Sequence, residues 1–210
     1  MNLNNYYWCF PSALTSRFCD EIIKYGTMHK DQIALTGGFN KKNHKKLNNE
    51  ELKNLKKKRD SNIVWLNDAW IYKEIYPYIK EANKQAGWNF DWDSSELCQF
   101  TKYSPNQYYH WHCDSHYIPY DNPNDLNFHG KIRKLSVSCS LSDPKDYKGG
   151  ELEFDFRNTD PEKKNIIKCT EILPKGSICV FPSFVWHRVK PVIKGTRYSL
   201  VIWNLGYPHK

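Results

Sequence analysis

Residues 110–116, HWHCDSH, bring three histidines and one aspartate into seven positions. In an extended strand the side chains alternate between two faces, so every second residue of this segment is predicted to point the same way. The same alternation turns Cys113 away from them. The residues that share the predicted face, all potential metal ligands, are His110, His112, Asp114 and His116.

An H-x-D pair on one strand, together with a distant histidine, is the arrangement of a 2-His-1-carboxylate site. Such a site holds non-haem Fe(II) and leaves coordination positions free for other ligands, whereas thiolates would favour other metals. An isolated H-x-D also occurs by chance. The segment alone therefore leaves open which of its histidines would bind a metal.

Short β-type segments separated by Pro, Gly, Asn or Asp dominate the chain from residue 96 onward. Eight such segments at close spacing are typical of a two-sheet β-sandwich or jelly roll. They are ELCQFTKY, QYYHWHCD, RKLSVSCSLS, GELEFDF, NIIKCT, SICVFP, HRVKPV and RYSLVIW. The sequence therefore predicts a mainly β fold with flanking α-helices.

The first 95 residues are predicted to support that core. Amphipathic periodicity indicates one helix from Ser12, as its N-cap, to Gly26, and a second over 69–87 that is kinked near Pro77. A short exposed helix is expected within 50–58. Two further strands are predicted, over residues 5–10 and 61–66. We expect the helices to pack on one sheet, so that residues 1–210 form a single domain with its jelly-roll core in 96–205.

Charge and cysteine content restrict the expected partners and cellular location of the protein. The net charge is +8, but much of the excess lies in the lysine-rich segment 41–60, which has no aromatic residues for base stacking. We interpret that segment as a solvated surface, so that a nucleic-acid partner is not expected. The seven cysteines form no C-x-x-C pair and are predicted to be reduced and mostly buried. Without a membrane-spanning run or a secretory signal, we predict a cytoplasmic protein, monomeric or homodimeric.

Beyond these patterns, residues 96–205 resemble the prolyl 4-hydroxylase-like branch of the Fe(II)/2-oxoglutarate oxygenases, in particular the PKHD-type hydroxylases. The segments RKLSVSCSLSDPKDYKGGELEF and LPKGSICVFPSFVWHRVKPVIKGTRYSLVIW carry much of the likeness. In that family one tyrosine lies nine residues before the first metal histidine and another lies three before it. Tyr103 and Tyr109 then select His112 rather than His110. The resemblance implies a metal site made by His112, Asp114 and His187.

The same resemblance assigns the 2-oxoglutarate site. Arg197 lies ten residues after His187, where the family keeps the basic residue that pairs with the C5 carboxylate of 2-oxoglutarate. Arginine suits this role because its planar fork binds a carboxylate through two hydrogen bonds. Ser199 lies two residues further on, and Tyr103 and Tyr109 complete the implied cosubstrate set.

The activity that the resemblance implies is hydroxylation of a protein, most simply of peptidyl proline, with Fe(II), 2-oxoglutarate, O₂ and L-ascorbate. A proline-rich peptide is expected to cross the mouth of the jelly roll between a lid at 116–131 and the loop near 157–164. Flat aromatic walls suit an extended proline segment. The expected substrate-binding residues are Arg133, Trp203, Tyr117 and Tyr120.

Other functions stay open at this point. An oxygenase of the same fold could act on nucleic acid, as the basic composition would allow, or on a free amino acid. A cupin-like module that binds Zn²⁺ through His110, His112 and His187 without catalysis is a third interpretation. The joint presence of Asp114, Tyr109 and Arg197 argues against that module. His110 is expected to pack inside the barrel with a satisfied hydrogen bond, and His116, at the start of the lid, to lie near the substrate or to be exposed.

Overall fold

The computed structural model describes residues 3–34, 49–115, 118–156 and 166–209. Within these ranges the chain forms three helices, α1 Ser16–Met28, α2 Asn49–Lys58 and α3 Ala69–Gln85, and fifteen strands. The strands are β1 Trp8–Phe10, β2 Gln32–Ile33, β3 Arg59–Asp60, β4 Asn62–Leu66, β5 Ser94–Ser95, β6 Cys98–Tyr103, β7 Tyr108–His112, β8 Ile132–Ser140, β9 Tyr147–Gly149, β10 Leu152–Asp155, β11 Ile166–Lys168, β12 Ile178–Pro182, β13 Trp186–Val189, β14 Val192–Gly195 and β15 Arg197–Gly206.

Two antiparallel sheets make up the core of the described chain. The larger has the strand order β1-β12-β8-β15-β6-β4-β2, with β5 paired to β15, and the smaller has the order β11-β10-β13-β7-β3. Strands β9 and β14 form a separate two-stranded ribbon. All eight strands predicted between residue 96 and the C-terminus are present. The prediction of a mainly β jelly roll is therefore confirmed.

Helices α1 and α3 cover the outer face of the larger sheet, as predicted. Ile22 of α1 and Ile71, Ile75 and Ile79 of α3 are fully buried in one cluster with apolar residues of β6, β8, β12 and β15. At Gly26 a β-carbon would lie 2.6 Å from the Phe100 ring, so only glycine permits this approach of helix to sheet. The helices thus seal one face of the sheet and leave the other face for a site.

Because side chains alternate along each strand, the two faces of the larger sheet carry different types of residue. On β8, Leu135, Val137 and Cys139 join the helix-facing cluster, while the serines between them point to the interior between the sheets. On β15, Leu200 and Ile202 face the helices in the same way. The interior face of the larger sheet is accordingly lined by buried polar and aromatic residues: Gln99, Thr101, Tyr103, Ser136, Ser138, Ser140, Arg197, Ser199 and Trp203.

The first helix departs from its predicted start. Thr15, and not Ser12, is the N-cap, because its hydroxyl accepts the Phe18 N–H at 3.2 Å. Ser12 instead has a positive φ of 51° in the turn before the helix. The helix also continues past Gly26 to Met28. Strands β1 and β4 lie within the segments predicted for them, and helix α2 begins at Asn49, one residue before its predicted segment.

Some predicted features lie outside the described residues: His116 and Tyr117, the loop at 157–164, and residues 41–48 of the basic segment. Of the described helices, none is long and apolar enough to cross a membrane.

Candidate active site

His112 and His187 face each other across neighbouring strands of the smaller sheet. They are direct partners in the pairing of β7 with β13, and Asp114 follows two residues after His112. The His112 Nε2–Asp114 Oδ1 distance is 3.6 Å, and the His187 Nε2–Asp114 Oδ2 distance is 3.5 Å. One ligand atom from each residue lies within 4.8 Å of the others. Two imidazoles and one carboxylate are thus placed to bind one metal ion.

Both imidazoles are oriented by backbone carbonyls. His112 Nδ1 lies 2.8 Å from the His110 carbonyl oxygen, and His187 Nδ1 lies 2.9 Å from that of Val185. A carbonyl can only accept, so each Nδ1 must carry the proton and each neutral Nε2 keeps a free lone pair. Both lone-pair nitrogens face Asp114. The histidines are therefore in the tautomer that binds a metal.

Asp114 lies beyond the end of β7 and is positioned by Ser136 of β8 and by Ser183, which follows the end of β12. Its Oδ2 accepts a hydrogen bond from the Ser136 hydroxyl at 2.7 Å, and Ser136 lies 2.9 Å from the Ser183 hydroxyl. The Asp114 N–H donates to the Ser183 carbonyl at 2.8 Å. The prediction that Asp114 belongs to the same regular strand as His112 is therefore wrong, since tertiary contacts rather than strand alternation turn its carboxylate towards the histidines.

The electrostatics keep these groups in their metal-binding forms near neutral pH. Burial raises the pKa of Asp114, but its attraction to His187, His112 and Arg133 outweighs that effect and holds the pKa well below its usual range. Burial, with a smaller effect of His112, lowers the pKa of His187 to about 4. The site therefore combines an ionised carboxylate with a neutral imidazole.

His110 and Cys113, which lie close to the candidate ligands in sequence, differ in their exposure to solvent. His110 is exposed, with Nδ1 accepting the Trp111 N–H at 2.6 Å, so its predicted place inside the barrel is wrong. Cys113 is half-buried and is absent from the cluster of candidate ligands among the described residues.

Arg197 occupies the interior face of β15 close to Tyr103. The two residues are direct strand partners, with the guanidinium carbon 5.5 Å from the Tyr103 ring centre. Arg197 is only 2% exposed, yet its Nη1 has no hydrogen-bond partner among the described residues. A β-carbon at Gly150 would lie 2.9 Å from its side chain, so glycine leaves room for it. A buried cation with an unpaired donor is suited to an anionic ligand.

Tyr109 connects this interior to the histidines. Its ring stacks on His112, with 3.4 Å between ring centres, and Arg59 lies over the ring at 4.5 Å from the centre. Burial raises the pKa of the Tyr109 hydroxyl to about 12, so the group stays a hydrogen-bond donor. Ser199 is buried on β15, between Thr101 and Ser140 of the neighbouring strands.

Arg59 is a residue that the sequence interpretation missed. It belongs to the basic segment interpreted as a solvated surface, but it is 4% exposed and donates to the Ser61 hydroxyl at 2.9 Å. Strand β3 brings it beside β7, with Arg59 opposite Tyr109. The short RDSNIVWL run, which ends the lysine-rich stretch and starts a strand, is the signal that separates Arg59 from the exposed lysines.

An ion pair made by a half-buried arginine lies near the metal-ligand cluster. Arg133 donates through Nε and Nη2 to both carboxylate oxygens of Glu96, at 2.5 and 2.6 Å, and its guanidinium lies 3.9 Å from the Trp203 ring centre. The Tyr120 hydroxyl donates to the same carboxylate at 3.0 Å. Three of the four predicted substrate-binding residues are thus brought together around Glu96, which the sequence interpretation missed; Tyr117 is outside the described residues.

Trp203, like Arg197, is buried and has an unpaired side-chain nitrogen. It is 5% exposed, and its Nε1 has no hydrogen-bond partner among the described residues. These two nitrogens are the buried side-chain polar atoms without a partner in the described chain. Buried polar atoms are usually paired, so orphan donors on the inner face of one strand mark places where a ligand would bind.

This fold and this cluster are typical of jelly-roll proteins that hold non-haem iron through two histidines and one carboxylate. Residues 98–204, about half of the chain, match the model of the 2OG-Fe(II) oxygenase superfamily. The chain belongs to that superfamily. The Fe(II)/2-oxoglutarate oxygenase superfamily predicted from the sequence is thereby confirmed.

Curated relatives match about half of the chain. A PKHD-type hydroxylase of Sphingopyxis alaskensis is 36% identical over 99 residues, which cover 46% of this chain and 38% of the relative. One of Aliarcobacter butzleri is 33% identical over 106 residues, covering 50% of this chain and 41% of the relative. The matched region thus spans about two fifths of the length of these relatives.

Solved structures share the fold over nearly the whole described chain. A viral collagen prolyl hydroxylase from Paramecium Bursaria Chlorella virus-1, solved as a 2OG complex, has a TM-score of 0.63 at 21% identity, with 97% of each chain covered. A Pseudomonas putida prolyl-4-hydroxylase has a TM-score of 0.64 at 17% identity, with 96% of this chain and 92% of the other covered. A Trichoplax adhaerens prolyl hydroxylase in complex with a hypoxia-inducible-factor peptide fragment has a TM-score of 0.60 at 16% identity, with 96% and 84% covered.

Proposed function

We propose that this protein is an Fe(II)- and 2-oxoglutarate-dependent dioxygenase that hydroxylates a protein substrate, most simply at peptidyl proline, and releases succinate and CO₂. The observation that carries the proposal is the convergence of His112, Asp114 and His187 in an interior that also contains Arg197, a buried cation with an unpaired nitrogen. A metal-binding module without catalysis would have no use for this second, anion-binding feature.

The metal site of the proposal consists of His112, Asp114 and His187. Two imidazoles and a carboxylate suit Fe(II) and occupy only part of its coordination sphere. When bound, Fe(II) supplies O₂ activation coupled to decarboxylation of 2-oxoglutarate. Ser136 and Ser183 hold the Asp114 carboxylate towards the two histidines, and the His110 and Val185 carbonyls fix the two rings.

The cosubstrate site consists of Arg197, Ser199, Tyr103 and Tyr109. Arg197 would pair with the distal carboxylate of 2-oxoglutarate, which would satisfy its Nη1 and neutralise its buried charge. Tyr109 keeps its proton, because burial raises its pKa to about 12, and so donates without adding negative charge. The packed rings of Phe154 and Phe181 exclude water from the His187 side, with the Phe181 ring 4.7 Å from that of His187.

The substrate site consists of Trp203, Arg133, Tyr120 and, outside the described residues, Tyr117. Trp203 is the strand partner of Ser136, whose hydroxyl holds Asp114, so its unpaired N–H lies near the metal ligands. That N–H would donate to a backbone carbonyl of an extended peptide. Arg133 already gives two nitrogens to Glu96, so the Arg133–Glu96–Tyr120 group would act as a preformed wall.

The names of the solved neighbours support a peptide substrate, since each is a prolyl hydroxylase and one is bound to a peptide fragment. The proposal also includes a reductant, a cellular location and an oligomeric state. L-Ascorbate would keep the bound iron reduced. The protein would act in the cytoplasm as a monomer or homodimer.

One assay with three substrates tests the proposal. The chain is incubated with Fe(II), 2-oxoglutarate, ascorbate and O₂, together with a proline-rich peptide, free L-proline or a single-stranded oligonucleotide. Succinate is quantified, and each substrate is examined by mass spectrometry for one added oxygen atom. We expect succinate in all incubations and oxygen only in the peptide.

The outcomes separate the parts of the proposal. Absence of succinate in every incubation, from protein shown to bind Fe(II), would contradict the oxygenase activity. Oxidation of free proline or of the oligonucleotide, with an unmodified peptide, would retain the oxygenase and remove the peptidyl substrate. Oligonucleotide binding that weakens steeply with salt would support the nucleic-acid alternative.

A further inference from the structure

Three of the seven cysteines meet at a place that the proposed reaction does not use. Cys9 in β1 and Cys179 in β12 are direct partners across two antiparallel strands, and Cys169 follows the end of β11. Their sulfur atoms lie within 4.8 Å of one another, and the Cys9–Cys169 separation is 3.6 Å. Residues from opposite ends of the chain thus form one thiol cluster.

The thiol cluster is distinct from the candidate active site. Its members are three sulfur-bearing side chains, whereas the other cluster that could hold a metal in the described chain is made only of nitrogen and oxygen ligands. Phe181, two residues after Cys179 and in the same apolar cluster, packs against the His187 ring. Aromatic packing therefore lies between the two groups.

The geometry of the thiol cluster matches a thiolate metal site. Zinc–sulfur bonds are about 2.3 Å long, so two sulfurs of a tetrahedral zinc site are about 3.8 Å apart. The Cys9–Cys169 separation of 3.6 Å is close to this value, whereas a disulfide needs about 2.05 Å. Sulfur-only ligand sets select soft ions such as Zn²⁺ and Cu⁺.

The surroundings allow an ion to enter and its ligands to ionise. Cys9 is half-buried, whereas Cys169 and Cys179 are fully buried, so the cluster is reached from the Cys9 side. Hydrogen bonds from the Cys179 and Cys9 thiols lower the pKa of Cys169, whereas those of Cys9 and Cys179 are raised, so Cys169 is the thiol of the three that ionises most easily. The exposed Glu171 carboxylate, which accepts the Tyr7 hydroxyl at 3.2 Å, or water would supply a fourth ligand.

We propose that Cys9, Cys169 and Cys179 form a second metal site, which binds one soft, thiolate-preferring ion, Zn²⁺ or Cu⁺. The ion replaces the thiol protons. Its bonds to Cys9 and Cys169 connect the N-terminal strand β1 to the segment that follows β11. Binding to the folded chain alone stabilises the fold by mass action.

The test uses the whole chain, stripped of metal, reduced and kept without oxygen. Titration with Co²⁺ should produce sulfur-to-cobalt charge-transfer absorption that saturates at one equivalent and is displaced by Zn²⁺. Because His112, Asp114 and His187 offer no sulfur, this absorption reports the thiol cluster even while the other site also binds Co²⁺. Separate titrations with Zn²⁺ and Cu⁺, each competed against a chelator, identify the preferred ion.

Matched variants assign the ligands. Cys169→Ser and Cys9→Ser should each lose the charge-transfer band and show a smaller increase in Tm with Zn²⁺ than the wild type, since Zn²⁺ can still bind at His112, Asp114 and His187. Cys19→Ser is the control, since Cys19 is equally buried but belongs to the helix-facing cluster, and it should keep both signals. Cys9 is half-buried, so its variant keeps the test decisive if Cys169→Ser fails to fold.

Three results would overturn the proposal. They are a wild-type chain without the charge-transfer band, a band that survives in folded Cys9→Ser, and a disulfide between any two of the three cysteines in protein isolated under reducing conditions.

Discussion

Replacement of Arg197 by alanine should weaken 2-oxoglutarate binding far more than Fe(II) binding. Arg197 is 2% exposed, so solvent screens its charge very little. Removing one partner of a buried charge pair costs about 3–5 kcal/mol, which corresponds to roughly a hundredfold to several-thousandfold in affinity. We therefore expect the apparent KM for 2-oxoglutarate, measured by succinate release without peptide, to rise by at least about a hundredfold.

Two further variants make this prediction specific. Arg197→Lys keeps the charge but loses the planar fork, so its KM should fall between those of the wild type and the alanine variant. Arg188→Ala removes an arginine that is already paired with Glu153, at 2.6 Å, and should leave the KM within about twofold, as expected for a site without a shared partner. An unchanged KM in folded Arg197→Ala protein would refute the assignment of Arg197 as the carboxylate anchor.

Three other predictions concern the metal ligands and the substrate wall. Ser136→Ala removes the hydroxyl that holds Asp114 and should lower Fe(II) affinity about 10- to 100-fold in equilibrium titrations, whereas Ser138→Ala, at the next interior position of β8, should not. Trp203→Phe keeps the ring but removes the unpaired N–H, so kcat/KM for a proline-rich peptide should fall while peptide-independent succinate release falls less; equal losses would contradict a substrate contact. The pKa of His187 is about 4 in the fold against 6.5 ordinarily, so the unfolded chain binds more protons between these values and acid destabilises the metal-free protein. The free energy of unfolding, from urea titrations, should lose up to about 3 kcal/mol as the pH falls from 6.5 to 4, and His187→Leu should reduce this dependence.

The sequence predicted the fold well because strand periodicity and helix amphipathicity are local signals. The apolar residues at alternate positions of β8, β12 and β15 correspond to the helix-facing side of the larger sheet. The departures are at element ends, such as the start of α1 at Thr15 instead of Ser12. There the deciding contact was a single side-chain hydrogen bond.

The environment of the candidate site was less predictable, because it depends on contacts between distant segments. Asp114 leaves the strand and is held by Ser136 and Ser183, which no local pattern connects to it. Arg59 is buried because β3 pairs with β7, although its neighbours in sequence are exposed lysines. Residue types suggested the chemistry, but strand pairing decided which polar groups share the interior.

The thiol cluster also depends on contacts between distant segments, and the sequence did not predict it. An odd number of cysteines without a C-x-x-C motif predicted unrelated buried thiols, yet three of them converge. The pairing of β1 with β12 places Cys9 opposite Cys179, and the connection after β11 adds Cys169. Spacing rules for metal ligands assume local motifs, so they do not detect a site assembled from both ends of a chain.

The direct pairing of His112 with His187 has a consequence for how the protein folds. Because side chains in a strand alternate, a slip of one residue between β7 and β13 would send one imidazole to the opposite face, so the two histidines could no longer bind the same metal ion. Pairings between distant segments are in general slow to form, because the entropy of loop closure is lost before the contacts are made. Iron bound during folding would therefore stabilise the correct register. The iron content of freshly refolded protein would then measure the fraction of molecules in which β7 and β13 are correctly paired.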